Sequence, residues 1–312
     1  DKLCDVYDEP FADSSQIPTL LISEYASREV KVCLTGDGAD ELFGGYNRYL
    51  YTNKKLNNSK YIPQIFKNLT SSVINNTDYK YLSNISYLLR KIRVLNIPQL
   101  DEKIQKFGRI FNNSNDLINI YLNLIEVSSN KNLPIFNYTE RSKIFLNEKK
   151  SLIESKSNQS LQDLLDLDQT LYLTGDILHK VDRAAMNFGL ETRLPYLNSK
   201  VVNFANAIDL NLKINKKGNK YILKELAKKH IPSKIINRSK MGFSVPLDKW
   251  INSDFKNISR EINLNKEFLI NTGFDYEAIQ KYLNEHSLNK KNWSHLLWNL
   301  IIFNKWASKY IL

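Results

Sequence analysis

The stretch Val32 to Tyr49, VCLTGDGADELFGGYNRY, constrains the fold of this chain more than any other. The apolar, β-branched run VKVCL stops at a glycine, which reads as a buried strand ending at Thr35. Cys33 inside it reads as a small buried apolar residue. Four of the chain's ten glycines follow at once, interleaved with Asp37, Asp40 and Glu41. From Ala39 the sequence ADELFGGYNRYLY starts a helix with acids in its first turn, where the helix dipole favours them. Upstream, SSQIPTLLISEYASR carries Ile17, Leu20, Leu21 and Tyr25 near helical spacing, with Ser15 as the cap. Helix, strand, glycine-rich turn, helix is the grammar of an open parallel α/β sheet, whose ligands bind at the carboxyl ends of the strands. Only one strand is legible, however, and a parallel sheet needs more.

Composition removes several function classes. The net charge of +11 comes from lysines spread among asparagines, as in NKKLNNSK and INKKGNK, and no helix interleaves arginine with aromatics. No nucleic-acid partner is therefore expected. The longest apolar run, HLLWNLIIF, falls short of the roughly 20 residues that span a bilayer, so no membrane partner is expected either. The opening DKLCDVYDEP lacks the basic region of a secretory signal. Cys4 and Cys33 form no disulfide framework, which suits a reducing cytoplasm. His179, His230, His286 and His295 show no zinc-ligand spacing.

Three segments carry chemistry. In the first, Asp37, Asp40 and Glu41 crowd a strand end, and like charges so close raise one another's pKa unless a cation neutralises them. Magnesium does this with carboxylates, phosphate oxygens and water. Gly36 and Gly38 permit unusual backbone angles and close approach of a ligand. No GKS or GKT follows, so this is not a Walker A loop. A phosphate–magnesium loop and a merely capped turn both remain open. In the second, HKVDRAAMNFGLETRLPYLN alternates Asp182, Arg183, Glu191 and Arg193. These are either an ion-pair network or a site for a zwitterion, with arginine on its carboxylate and glutamate on its ammonium. The third, NRSKMGFSVPLDKW, sets Lys240 in a glycine- and proline-punctuated loop, where a lysine can neutralise a phosphoryl transition state. Between them, YKYLSNISYLLRKI and NDLINIYLNLIEV have helical periodicity and no legible chemistry. The later segments LQDLLDLDQTLYL, TGDILHKVDRAAMNFG, SKVVNFANAI, KYILKELAKKH and WSHLLWNLIIFNKWASKYI read as successive helices.

Taken together, YDEPFADSSQIPT, LTGDGADELFGGYNRY, DRAAMNFGLETRLPYLN and RSKMGFSVPLDKW resemble the synthetase domain of the glutamine-dependent asparagine synthetases. The resemblance runs from Tyr7 to Trp250. It implies an α/β fold: part of a doubly wound nucleotide-binding domain of the pyrophosphatase-loop type, mostly helical in the part present. Residues 1–312 would be one such domain. Within it, 1–51 would close the sheet and carry the acidic loop, 52–160 would be a variable helical segment, and 161–312 a helical substrate and lysine-loop part. The implied reaction uses ATP and Mg2+ to convert the aspartate side-chain carboxylate to a β-aspartyl-adenylate and pyrophosphate. Ammonia derived from glutamine then attacks, and AMP leaves.

Carried over by motif, Thr35 and Gly36 would lie against the nucleotide, with Ser14 and Ser15 near its phosphates. Asp40 would bind magnesium pyrophosphate, and Asp37 would handle the amine and the adenylate. Glu41, Arg183 and Glu191 would line the amino-acid pocket, and Lys240 would stabilise charge during adenylation. The family's SGG-x-DS phosphate loop occurs nowhere in the sequence, and residue 1 is Asp1 where the family's glutaminase begins with cysteine. Cys4 is no match for that cysteine. The expectation is a C-terminal part of a longer protein, inactive alone, with its N-terminal half in the same or another chain. Tyr196 and Asn198 in PYLN replace the common PFLD. Relatives that adenylate another carboxylate form the neighbouring reading: a β-lactam-forming synthetase, a lasso-peptide cyclase or a surface-polysaccharide amidotransferase. A basic helical binding module is the reading from another class, and a homodimer is the assembly considered.

Overall fold

The computed structural model describes residues 2–52, 160–236, 242–243 and 245–312, with single positions 117, 121, 125, 134 and 238. These residues are mostly helical, with one small sheet. Chain contacts divide into two compact units, one of Asp1–Leu50, Ser160–Trp250 and Trp298–Leu312, the other of Tyr51–Gln159 and Ile251–Leu297. The expected helix YKYLSNISYLLRKI lies outside the described residues. Of NDLINIYLNLIEV, positions 117, 121 and 125 are described, and all three are helical.

The first unit begins with α1 (Lys2–Tyr7) and α2 (Gln16–Glu29). Pro18 falls in the first turn of α2, where its missing N–H leaves no intrahelical bond unmade. Ser15 holds the N-cap position but makes no side-chain cap bond. Instead its Oγ donates to Asp13 at 2.5 Å. The buried positions of α2 are Gln16, Thr19 and Ser23, whereas Leu21 and Tyr25 are exposed. The buried hydroxyls are satisfied within the helix, Thr19 Oγ1 donating to the Ser15 carbonyl and Ser23 Oγ to that of Thr19. Their small size lets α2 lie close against the later helical segment His179–Met186.

The strand β1 (Val32–Leu34) pairs in parallel with β2 (Glu191–Arg193), in the register Val32 to Glu191, Cys33 to Thr192 and Leu34 to Arg193. The expectation of a buried β1 is corrected: Leu34 is 73% exposed, and Cys33 is only partly covered. Among the described residues no strand other than β2 pairs with β1, so much of its surface is uncovered. The short helix α3 (Ala39–Phe43) comes next. The expected longer helix breaks because Gly44 adopts φ +69, and residues 47–52 are helical again.

Residues 161–186 form one continuous rod rather than two helices. It comprises α4 (Leu161–Leu167), a stretch Asp168–Leu178 widened to i→i+5 bonding, and α5 (His179–Met186). Ser160 and Asp163 cap it reciprocally. Within the widened stretch the hydroxyls of Thr170 and Thr174 donate to the carbonyls of Asp166 (3.0 Å) and Thr170 (2.7 Å), competing with the i→i−4 ladder. Beyond β2 come α6 (Ser199–Ala207), capped by Asn198, and α7 (Tyr221–Ala227).

Leu42 and Phe43 of α3 pack on Ala205 of α6, with Ile222 and Leu223 of α7 alongside. Val6 and Tyr7 of α1 pack on Ala184 of α5. The last helix, α8 (Ser294–Tyr310), returns to α1: Trp306 Nε1 donates to the Asp8 carbonyl at 2.9 Å and Tyr310 Oη to that of Cys4 at 3.3 Å. In the second unit, Trp293 packs at a tilt against Tyr282 and donates its Nε1 to Glu285 at 2.8 Å.

One polar knot ties the segment after α3 to the rod. Asp168 is fully buried, and its Oδ2 accepts from Arg48 Nη2 at 2.7 Å, from Arg48 Nε at 3.2 Å and from Tyr49 Oη. Burial pushes the Asp168 carboxyl up, against the opposing pull of Arg48 and Tyr49. Removing one partner of such a pair leaves a buried charge uncompensated. Asp168→Asn is therefore expected to destabilise the fold by about 3–5 kcal/mol, read as a fall in the urea midpoint at unchanged slope. An unchanged midpoint would show that the knot carries no stability.

Candidate active site

At the carboxyl end of β1 the first unit holds a cleft of about 770 Å³. The loop before α2 supplies Asp13, Ser14 and Ser15, α2 itself Thr19, and the loop after β1 Thr35, Gly36, Asp37 and Gly38. Asp40 and Glu41 of α3, Tyr46, Tyr172 and Lys180 of the rod, and Thr192 of β2 complete much of the wall. The Thr35 N–H donates to the Arg193 carbonyl at 2.9 Å, extending the ladder by one bond and holding the loop at the sheet's end. Thr35 Oγ1 is buried without a partner among the described residues, so it has hydrogen-bonding capacity for a ligand. Gly38 has φ +86, and a Cβ there would run into the Leu197 side chain. At Gly45 a Cβ would run into the Asp40 carboxylate and the stem of Lys220. These two glycines answer to steric demand, whereas Gly36 faces open space.

The acids of the loop have different environments. Asp40 Oδ1 lies 2.8 Å from Lys220 Nζ, an intramolecular cation where the sequence suggested a metal. Glu41 is buried and accepts from Tyr46 Oη at 2.5 Å. Burial pushes the Glu41 carboxyl up, partly offset by the Tyr46 bond. Burial and the neighbouring Glu41 likewise raise the Tyr46 hydroxyl. The Arg48 guanidinium lies 4.0 Å from the centre of the Tyr46 ring and 4.7 Å from that of Tyr172, fixing this aromatic corner from behind.

A third group was not visible in the sequence. Lys180 Nζ is shared by Asp13 Oδ2 and by Asp176 Oδ1, the latter at 3.2 Å. The lysine side chain is 6% exposed. Burial works to raise both carboxyls. For Asp13 the Lys180 ammonium and the hydrogen bonds from Lys180 and Ser15 prevail, and its pKa is lowered. For Asp176 burial prevails and the neighbouring Asp13 adds to it, pushing the carboxyl up to about 6. The signal for this group is an i,i+4 acid–lysine pair on one helix face, which becomes a cleft feature only once Asp13 packs beside it.

The structure thus brings Ser14, Ser15, Thr35, Gly36, Asp37, Asp40 and Glu41 to one wall. Arg183 and Glu191 do not line it. Arg183 pairs with Asp8 at 3.3 Å and Glu191 with Arg193 at 2.7 Å, all four side chains well exposed. Lys240 lies outside the described residues, while Gly242 and Phe243 line the cleft. Among the described residues no three metal-ligating side chains stand together. Magnesium at Asp40 fits only with oxygen ligands from phosphate and water, its usual mode of binding. Among the described residues no helix is long and apolar enough to cross a membrane.

The asparagine synthase family model matches residues 1–308. The chain is 29% identical to asparagine synthetase (glutamine-hydrolyzing) 1 of Bacillus subtilis over 310 residues, covering 97% of this chain and 44% of that protein. It is 27% identical to a putative asparagine synthetase (glutamine-hydrolyzing) of Mycobacterium tuberculosis H37Rv over 312 residues, 97% of this chain and 43% of the relative. A putative asparagine synthetase (glutamine-hydrolyzing) 2 of Methanocaldococcus jannaschii is 35% identical over 102 residues, covering 33% of this chain and 19% of that protein. The chain spans less than half the length of these curated relatives. No solved structure matches it.

The Asp176 carboxyl gives the cleft a pH signature. Its folded value of about 6 lies above its ordinary 3.8, so between these limits the folded protein binds more proton than the unfolded chain. The stability this group contributes therefore falls as pH rises from 3.8 to about 6 and is constant above. The melting temperature of Asp176→Asn minus that of wild type should rise through this window and then level off. A difference independent of pH would remove Asp176 as a raised group.

Proposed function

The chain belongs to the asparagine synthase family, and on that premise we propose that it forms the synthetase part of an ATP-dependent ligase converting aspartate to asparagine. The observation that carries this reading is the shared cleft of Ser14, Ser15, Thr35, Gly36, Asp37, Asp40 and Glu41 at the end of β1. Its volume suits a nucleotide with a small acid. Residues 1–312 are read as one synthetase domain, and the parallel β1–β2 pair as part of a doubly wound sheet of the pyrophosphatase-loop type.

In this mechanism Thr35 and Gly36 lie against the nucleotide, and Ser14 and Ser15 near its phosphates. Asp40 would hold magnesium together with phosphate oxygens and water, and the ion would supply charge neutralisation on those oxygens. The side-chain carboxylate of aspartate bonds to the α-phosphorus as pyrophosphate leaves with the electrons of the broken P–O bond. Lys240 stabilises the charge that develops there. Ammonia then forms the C–N bond; its source in this reading is glutamine, in keeping with relatives named as glutamine-hydrolyzing. AMP departs with the electrons of the C–O bond, and Asp37 takes the surplus proton of the nitrogen. Glu41 belongs to the amino-acid pocket. The cysteines Cys4 and Cys33 are unbridged, which suits work in the cytoplasm.

Arg183 and Glu191 complete the amino-acid pocket in the resemblance, yet both stand in exposed ion pairs. That observation favours a second reading, in which the same adenylation serves another carboxylate, as in β-lactam or lasso-peptide synthetases or surface-polysaccharide amidation. Aspartate-dependent exchange of pyrophosphate into ATP, run beside a panel of carboxylic acids, decides between the two. In the native protein Lys240→Ala is expected to lower this exchange at least a hundredfold, about 3 kcal/mol. Exchange near the wild-type rate would remove Lys240 from the mechanism.

A further inference from the structure

The wall of the cleft is acidic: Asp13, Asp37, Asp40 and Glu41 line it, and among the described residues Lys180 is its only basic side chain. Lys180 is also held more firmly than a surface lysine. Its ammonium is gripped by Asp13 from the loop before α2 and by Asp176 from one turn earlier on the rod. Asp13 is itself fixed, accepting the Ser15 N–H at 3.0 Å and the Ser15 hydroxyl at 2.5 Å. The lysine carbonyl accepts from Tyr7 Oη at 3.3 Å, which anchors the helix turn that carries it. An ammonium has three N–H donors. Two are committed to Asp13 and Asp176, and among the described residues no third acceptor is present. A cation pinned in this way does not reorganise when an anion arrives, the arrangement that makes a fixed charge effective for recognition.

We propose that Lys180 receives the carboxylate of the amino-acid substrate that is not activated, its third N–H bonding the α-carboxylate while the side-chain carboxylate reacts. Asp13 and Asp176 act as positioning residues for it. This assignment rests on the ligase reading and gives the cleft a carboxylate-recognising cation inside its wall, where Arg183 is not found. A group that stays bound through both half-reactions suits a cation held on two sides. Lys240, on a separate segment, is left to the phosphoryl charge.

The test uses the native protein and two substrates, aspartate and 3-aminopropanoate, which lacks the α-carboxylate. In wild type the exchange assay should prefer aspartate strongly. In Lys180→Met the KM for aspartate should rise roughly 10- to 100-fold, the range of a lost hydrogen bond to a charged group. The KM for ATP should stay within about threefold, and the preference over 3-aminopropanoate should collapse. Lys180→Arg should restore part of that preference. If Lys180→Met fails to fold, Lys180→Met with Asp176→Asn removes a partner from each side of the pair and should show the same loss.

An aspartate KM near wild type in either folded variant overturns the inference, as does an equal rise in the KM for ATP. Calorimetric titration of aspartate in the presence of a non-hydrolysable ATP analogue separates the two levels of the proposal. Lys180-dependent binding without any exchange would reject the ligase reading and retain the carboxylate site. Absence of saturable binding in wild type, or equal binding in Lys180→Met, would reject the site.

Discussion

One buried carboxylate, Asp168, decides where the walls of the cleft stand. A fully buried acid is tolerated only with donors on it, and Arg48 and Tyr49 provide them from a segment 120 residues earlier in the chain. Satisfying that charge draws the residues after α3 onto the helical rod. Arg48 then carries Tyr46 and Tyr172 on its guanidinium, and Tyr46 in turn holds Glu41. The aromatic corner of the cleft and one of its acids are thus set by a bond outside the cleft. Packing alone would allow these rings to slide, but a hydrogen-bonded ion pair fixes distance and direction together.

The acids of the cleft are differentiated by what each one meets. Asp40 has a lysine, Glu41 a buried tyrosine, and Asp13 and Asp176 share a lysine between them. These four carboxyls, with Asp37 on the same wall, would repel one another if all were equally solvated. Separate partners keep them apart in character. Such divided environments let neighbouring titratable groups hold different protonation states.

Much of the site was legible because its residues are contiguous. A strand stopped by glycine, followed by acids, needs only local sequence to announce a loop at a sheet's end, and Thr35, Gly36, Asp37, Asp40 and Glu41 do meet there. The helices of the later half were legible from their 3.6-residue period. Other features had no local signal. β2 is Glu-Thr-Arg, three polar residues without strand periodicity, and it exists because β1 offers it a ladder. The rod of residues 161–186 reads as two helices because a widened turn does not change composition. Arg183 and Glu191 had the right chemistry for a zwitterion, but nearer acids and bases took them first.

The sequence by itself determined the family, the acidic glycine loop and the helical character of the chain's later half, since motif and periodicity are properties of neighbouring residues. The tertiary structure alone decided which charges face the cleft. Lys180 becomes its cation only because α1, α2 and the rod pack so that Asp13 reaches it. Whether a charged side chain binds a ligand or a neighbour depends on distances between segments far apart in the chain, and those distances are set by packing and not by spacing along the sequence.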